Sequence, residues 1–349
     1  MTTAEQRLDA FERLGRLLKN EIEDVTVAEK DALISFDNAK RSAMSKNVWF
    51  TAESIELMVS NISDMLGSKQ LFAFNKTYKL DGNQESKKIA VIMAGNIPLV
   101  GFHDFFTVLI CGHRFLGKLS HEDPFLLPAL AEVLSAVEPA FRELSQFTDS
   151  TIKDFDAVIA TGSNNTARYF DYYFSKYPHQ IRGNRNGVAI LNGNESKAEL
   201  EKLGLDIFSF FGLGCRNVSS LFVPVGYDFN PMFEAFEVFK TWANHSKYFN
   251  NYEYNKAIWL VNREPHFDNG FVLLKQEAAF SSPVAVLNYQ HYSDTETLQH
   301  ILEDNKEKIQ CIVSQKSWWP GSYEFGKAQM PAIMDYADGV DTTAFLLSL

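Results

Sequence analysis

Three side chains in this sequence could act as soft nucleophiles: Cys111, Cys215 and Cys311. Cys215 lies in FFGLGCRN, between Gly212 and Gly214, where a helical pattern hands over to a strand-like one. Glycines at such a turn permit tight backbone geometry and leave a side chain accessible. Beside Arg216, a thiol at an exposed turn is favoured as thiolate, the nucleophilic form. The plainer alternative is a cysteine that packs as a small hydrophobe. Cys111 in VLIC and Cys311 in QCIV sit in apolar runs and read as core.

Polar groups that could serve such a nucleophile follow other apolar runs. In AGNIPLVG, Asn96 comes directly after the run IAVIM, with Gly95 and Pro98 shaping the turn. Its amide can donate to a developing oxyanion, or it can simply support its own turn. In ATGSNNTARYF, Gly162 and Ser163 stand between a strand pattern and a helix pattern. The free N–H groups at that helix start suit a phosphate. In GKLSHEDP, Lys118 and His121 end the preceding strand, where ribose or phosphate can be met or where a solvated polar turn suffices. Other chemistries lack their signatures. No HExxH or HxH spacing supports a metal centre, no GxSxG supports a serine hydrolase, and no GxGxxG or Walker loop is present.

The elements that would carry these residues alternate. Ahead of them, helical stripes run through Leu8, Phe11, Leu14, Leu18 and Ile22, and from Thr51 through Ile55, Met58, Ile62 and Met65 to Gly67. A polar stretch, Lys79 to Lys88, separates this start from a strand at 89–93, a helix over FHDFFTVLIC, a strand in RFLGKLS, a helix from Pro124 to Leu144, a strand in DAVIATGS and a helix in NNTARYFDYYF. Strands alternating with helices predict a parallel sheet that binds ligands at strand carboxyl ends. A second α/β stretch follows from Asn186, with strands expected in NGVAILNG, after FFGLGCRN, in KAIWLVN, in SSPVAVLNYQ and in KIQCIVS. The run Thr241–Trp259 either lines a substrate channel or packs as the outer face of a helix and loop. The expected division is 1–186 for the helical start and cofactor domain, 187–320 for the cysteine domain, and 321–349 as a segment returning to the cofactor domain.

Composition bounds the partners. With 349 residues, and roughly 150 per domain, two domains are expected. The 33 Lys and Arg against 44 Asp and Glu give a net charge of −11, and no basic stripe is present, so nucleic acid is not an expected partner. The amino terminus is a charged helix pattern rather than a signal peptide, and no apolar stretch reaches the roughly 18–20 residues of a membrane span. Three distant cysteines argue against a disulfide framework. A cytoplasmic protein is expected.

Taken in order, an Asn after the first strand, a Lys after the second, Gly-Ser before a helix and a Cys in a glycine turn resemble the aldehyde dehydrogenase superfamily. MAGNIPLVGFHDF, LGKLSHEDPFLLP, IATGSNNTARYFDYYF, FFGLGCRNVSSLFVP and the ending FGKAQMPAIMDYADGVDTTAFLLSL are similar to LuxC-type acyl-CoA reductases, over roughly Lys88 to Leu349. The resemblance implies a Rossmann-type cofactor domain and a smaller α/β catalytic domain. It implies Cys215 as acyl-accepting nucleophile, Asn96 with the Cys215 backbone N–H as oxyanion donors, Lys118 and His121 at the adenosine ribose, and Gly162–Ser163 beneath the cofactor. Ala167 stands where a second glycine is usual. Acyl-CoA is the implied substrate, an acyl-protein synthetase an implied partner, and a homo-oligomer the implied assembly.

Two departures from the superfamily pattern carry chemistry. The stretch HQIRGNRNG, where oxidising relatives keep a water-activating glutamate, has no carboxylate. An acyl-cysteine then waits for hydride or another thiol, which favours a reductase or CoA-acylating enzyme; Glu195, Glu199 and Glu201 are the stand-ins to consider. His121, followed by Glu122, occupies the place of a ribose-binding glutamate, and with Lys118 this favours NADPH over NADH. The expectation is NADPH-dependent reduction of a long-chain acyl thioester to the aldehyde. The alternatives are an acyl-phosphate reductase, a CoA-acylating aldehyde dehydrogenase, or a non-catalytic acyl-binding protein.

Overall fold

The computed structural model describes residues 2–80 and 85–349. Residues 81–84 of the polar stretch Lys79–Lys88 lie outside the described residues. Backbone contacts divide the chain into two units, one of residues 2–183 with Pro331–Leu349, the other Asn184–Met330.

The first unit opens with four helices: α1 (Ala4–Leu18), α2 (Val27–Lys46), α3 (Ala52–Met65) and α4 (Ser68–Tyr78). Thr3 and Thr26 start α1 and α2 through capping boxes, each side chain accepting from the third helical N–H while Gln6 or Glu29 reaches back. α2 escapes sequence periodicity because it buries only Glu29, Phe36 and Ala43 along 20 residues. Glu29 is buried against the Arg13 guanidinium, which holds its carboxyl below the usual range.

The sheet then builds as β1 (Lys88–Ile92), α5 (Phe102–Ile110), β2 (Arg114–Lys118), α6 (Leu126–Val137), α7 (Phe141–Leu144), β3 (Ser145–Thr148), β4 (Ala157–Thr161), α8 (Asn164–Phe174) and β5 (His179–Arg182). The expected helix Pro124–Leu144 is broken around Pro139, a residue that cannot continue a helical ladder. All five strands are parallel in the order β3-β2-β1-β4-β5. The order reverses between β1 and β4, so their carboxyl ends, Ile92 beside Ala160, flank a topological switch point. The connection from β3 to β4 crosses without a helix, and its Ile152 and Phe155 join Phe170 and Phe174 of α8 over Ala90, Val158 and Ala160.

The closing segment, with α13 (Thr342–Leu347) following the elements of the second unit, is bonded into the first unit at several points. His103 Nε2 lies 2.8 Å from the Ile333 carbonyl and His113 Nε2 2.9 Å from that of Leu346. Arg182, buried with Asp104 at 2.8 Å, donates to Thr342 Oγ1 at 2.7 Å.

In the second unit β6 (Asn186–Ile190), α9 (Lys197–Phe208), β7 (Val218–Pro224), α10 (Asn230–Phe236), α11 (Ser246–Asn262), β8 (Phe267–Asp268), β9 (Leu273–Gln276), β10 (Val286–Tyr292), α12 (Thr295–Asp304), β11 (Ile309–Ser314) and β12 (Tyr323–Glu324) form a seven-stranded sheet, β12-β11-β6-β7-β10-β9-β8. Every pairing is parallel except β8 with β9. KAIWLVN, expected as a strand, is the end of α11. Its β-branched and aromatic content imitates a strand, but Tyr248, Tyr252, Asn255 and Trp259 are the buried residues, spaced as one face of a helix.

Candidate active site

At the carboxyl edge of the first sheet, the turn after β1 buries Ile97, Pro98 and Leu99 and leaves Asn96 exposed. Two features hold it. A Cβ on Gly95 would come within 2.3 Å of Ser120 Oγ, so only glycine lets this turn lie against the turn after β2. The buried Asp123 carboxylate accepts from Leu99 N–H at 3.2 Å and from Leu126 N–H at 3.2 Å, joining the Asn96 turn to the start of α6. Leu99 there has φ of 52°, a left-handed conformation disfavoured for a branched residue, and the Asp123 bond helps to secure it.

Lys118 pairs in register with Ile92, so β2 ends level with the Asn96 turn. Its ammonium donates to the carbonyls of Asp149 at 3.0 Å and Ser150 at 3.2 Å. His121 is exposed, and Lys46 at the end of α2 reaches it with Nζ 3.1 Å from Nε2. Sequence reading had no means of finding Lys46, because α2 is remote in the chain.

Gly162 follows β4, and Ser163 caps α8, accepting from Thr166 N–H at 3.3 Å. A Cβ on Gly162 would meet Thr166 Cβ at 2.9 Å, so the close strand-to-helix handover needs glycine. α8 has no acidic residue in its first turn, which keeps the positive end of its dipole uncompensated. A switch point, a glycine cradle and an acid-free helix start fit the diphosphate of a dinucleotide. Asn96, Lys118, His121, Gly162 and Ser163 therefore share one edge of one sheet.

Cys215 belongs to the second unit, exposed at the tip of the turn between α9 and β7. This turn is built against backbone preference. Phe210 and Phe211 have φ of 52° and 56°, and Gly212 follows at 77°. Two bulky left-handed residues cost about 1–2 kcal/mol each. Burial of both rings, with Phe211 packed on Trp242, His245 and Tyr248, offsets that. Asn217, buried, does the stapling: its Nδ2 donates to the Ser209 carbonyl at 2.7 Å and to those of Asp206 and Ile207 at 3.1 and 3.3 Å, while Oδ1 accepts from Gly214 N–H at 2.9 Å. One amide thus satisfies carbonyls left over at the end of α9 and fixes the residue before Cys215.

Gly187 admits the other side of the turn, since a Cβ there would lie 2.6 Å from the Arg216 carbonyl. The Arg216 guanidinium donates to the Ala328 carbonyl and lies over the Tyr323 ring at 4.9 Å. Ala328 and Gly326 in turn donate to the fully buried Asp206 at 2.8 and 2.6 Å. Arg216 is a strap for this unit. Cys111 and Cys311 are both buried, and burial pushes the Cys111 thiol up to about 12.

Two of the three glutamates considered as water-activating bases, Glu195 and Glu199, are engaged elsewhere. Cys215 precedes β7 and lies at the amino edge of the sheet, whereas Glu195 follows β6 and accepts from Asn192 N–H at 2.6 Å at the carboxyl edge. The seven residues of β7 span about 20 Å. Glu199 is committed to the cap of α9 and to Gln315, which lowers its pKa to about 2. Among the described residues no group of three or more His, Cys, Asp or Glu could hold a metal ion, and no helix is long and apolar enough to cross a membrane.

A five-stranded parallel sheet with a glycine cradle at its switch point, joined in one chain to a second α/β unit that displays a cysteine on a braced turn, has the aldehyde dehydrogenase architecture. Solved structures agree on the fold. An indole-3-acetaldehyde dehydrogenase of P. syringae, AldA, with NAD+ and IAA, aligns over 94% of this chain and 75% of its own, at 14% identity and TM-score 0.62. The aldehyde dehydrogenase KauB from Pseudomonas aeruginosa aligns over 90% and 72%, at 14% identity and TM-score 0.62. A Mycobacterium tuberculosis aldehyde dehydrogenase with NAD+ aligns over 90% and 73%, at 15% identity and TM-score 0.60. Comparison with curated proteins gives no match. The family model described as acyl-CoA reductase (LuxC) matches residues 3–231, well over half the chain. The protein belongs to the LuxC acyl-CoA reductase family, and is an oxidoreductase of aldehyde-level chemistry.

Proposed function

We propose that the protein reduces an acyl thioester, a long-chain acyl-CoA by its family, to the aldehyde through a thioacyl intermediate on Cys215, with NADPH as reductant. The observation that carries this reading is the setting of Cys215: exposed on a braced turn, with no carboxylate in HQIRGNRNG, Glu195 at the far edge of the sheet and Glu199 committed to the cap of α9. An acyl group held there lacks those bases for its hydrolysis and persists for reduction.

In this mechanism the Cys215 thiolate attacks the thioester carbonyl, and the resulting oxyanion takes hydrogen bonds from the Asn96 amide and the Cys215 backbone N–H. Collapse expels the CoA thiolate and leaves the thioacyl enzyme. Reduction of this carbonyl to the aldehyde level would use hydride from a reduced nicotinamide bound at the Gly162–Ser163 helix start. The same two donors hold the second oxyanion, whose collapse releases aldehyde and restores the thiolate. Gly162, Ser163 and the start of α8 would hold the diphosphate, and Lys118 the ribose. The Lys46–His121 pair supports NADPH, because it places a cation beside the position where a ribose-binding carboxylate would repel a 2′-phosphate. An acyl-protein synthetase is the protein partner proposed to supply the acyl group when CoA does not.

Intact-protein mass spectrometry after mixing with a panel of acyl-CoAs, then with NADPH, tests this. An acyl-sized gain mapped to Cys215 and discharged to aldehyde is expected. Absence of an adduct from every acyl-CoA, with reduction of an acyl phosphate instead, would sink the thioester reading.

A further inference from the structure

Both chain neighbours of Cys215 are pinned. Asn217 grips Gly214 twice, accepting its N–H with Oδ1 at 2.9 Å and donating its own N–H to the Gly214 carbonyl at 3.0 Å. A trans peptide points its N–H opposite to its C=O, so this grip sets the direction of the Cys215 N–H. Arg216 is held at both ends. Cys311 Sγ donates to its carbonyl at 3.6 Å, and its guanidinium, over the Tyr323 ring, donates to the Ala328 carbonyl.

The strap on Arg216 ends at Asp206. Each oxygen of this fully buried carboxyl takes one N–H of the loop after β12: Gly326 on Oδ2 at 2.6 Å and Ala328 on Oδ1 at 2.8 Å. On other grounds an acidic group is badly placed there. It lies in the last turn of α9, at the negative end of the helix dipole, and it is removed from water. A carboxylate, however, offers an acceptor to each N–H, whereas an Asn would turn its own amide hydrogens toward one of them. Burial raises the pKa of Asp206 to about 7, against the pull of the two loop N–H groups and of the Arg216 and Lys327 charges. The backbone carbonyl of Asp206 also accepts from Asn217 Nδ2 at 3.1 Å, so the holds on Gly214 and on Arg216 meet at one residue.

We propose that Asp206 is a positioning residue for Cys215: its carboxylate fixes the 326–328 loop, the Ala328 carbonyl fixes Arg216, and Arg216 fixes the turn that presents the thiol and its backbone N–H. The catalytic consequence rests on the acyl-thioester reading above; the hold on the turn does not. Misplacing a reacting group by about 1 Å can cost a hundredfold in rate, so a strap outside the chemistry reaches kcat.

The test measures hydrogen exchange at about pH 8, where the carboxyl is ionised, and steady-state kinetics with acyl-CoA. The proteins are wild type, Asp206→Asn, Arg216→Ala and the double variant. Asp206→Asn keeps the backbone carbonyl that holds Asn217 and removes one loop bond. Exchange in residues 213–217 should rise about tenfold, while α10 and β10 stay at least as protected as in wild type. kcat should fall about tenfold, with the KM for the nicotinamide cofactor within about twofold. Arg216→Ala should give the same pattern, and adding Asp206→Asn to it should change exchange in 213–217 and kcat by no more than about twofold, because the two residues act in series.

Wild-type exchange in 213–217, an unchanged kcat, or effects of the two substitutions that multiply overturns the proposal. Loosening of α10 and β10 along with the turn overturns it too, since that marks a general structural role. Should Asp206→Asn fail to fold, Arg216→Ala decides: the selective pattern supports the strap, and wild-type exchange with wild-type kcat overturns it. If the wild-type protein turns over no acyl thioester, the parent reading fails, and exchange in 213–217 across the same variants still decides the hold on the turn.

Discussion

The side-chain oxygen of Asn217 accepts a hydrogen bond from the Gly214 N–H at 2.9 Å, across the turn that displays Cys215. The same amide ties the end of α9 through three carbonyls, so a single buried residue couples helix, turn and strand. Asn217→Ala should cost about 3 kcal/mol, read as a lower denaturant midpoint at unchanged slope. In the protein that remains folded, kcat should fall while the KM for the nicotinamide cofactor stays near wild type, because the residues proposed to bind the cofactor belong to the other unit. A rise in cofactor KM with unchanged kcat would contradict this role.

Cys215→Ala should abolish turnover, and Asn96→Ala should slow it about a hundredfold or more, the loss typical of one oxyanion donor. Steady-state kinetics on purified variants decide both. Retained activity in Cys215→Ala would end the thioacyl mechanism.

Lys46 and His121 should act on one cofactor and not the other. Lys46→Ala and His121→Ala are expected to raise the KM for NADPH up to about tenfold and leave that for NADH within about twofold, with the NADPH effect shrinking as salt rises. Equal losses for both cofactors would remove the pair from 2′-phosphate recognition.

The two units should respond to pH with opposite sign. His113 accepts from Lys87 N–H at 3.2 Å with Nδ1 and faces the Leu346 carbonyl with Nε2, so protonation at Nδ1 breaks the first bond. Burial lowers the pKa of both His113 and His103. Their contribution is therefore present above the unfolded value of about 6.5 and is lost as pH falls below it. Asp206 runs the other way. Burial raises its pKa to about 7, so its contribution is full below the unfolded carboxyl range and is lost as pH rises toward 7. Hydrogen exchange as a function of pH should show residues 331–349 opening first below pH 6. Asp206→Asn should flatten the loss of second-unit protection between about pH 4 and 7. Faster exchange of 331–349 on raising the pH would contradict the histidine assignment.

Much of the frame could be read locally. Short apolar runs ending in AGN, GKLS and ATGS each produced a strand and a turn in the expected place, because a strand buried on both faces and a glycine handover are properties of a few adjacent residues. The helices expected from the Leu8 and Thr51 stripes were legible for the same reason and are found as Ala4–Leu18 and Ala52–Met65, with Ile22 falling beyond the end of the first. α2 and α11 were not. α2 has few buried apolar positions, and the Ala-Ile-Trp-Leu-Val run of α11 has strand composition, so only packing against the rest of the unit settles its state.

By itself the sequence determined the chemical types and their order: an exposed-turn cysteine, an amide after the first strand, a lysine after the second and a glycine-serine helix start. These depend on neighbours within about one turn or one strand. Tertiary structure alone decided what surrounds them. It set Lys46 against His121, put Glu195 on the opposite edge of the sheet from Cys215, tied Arg216 to Ala328, and left the Tyr248 hydroxyl facing no partner in the protein. Each of these follows from strand order and helix packing between residues far apart in the chain, and no local pattern encodes which distant segment will arrive.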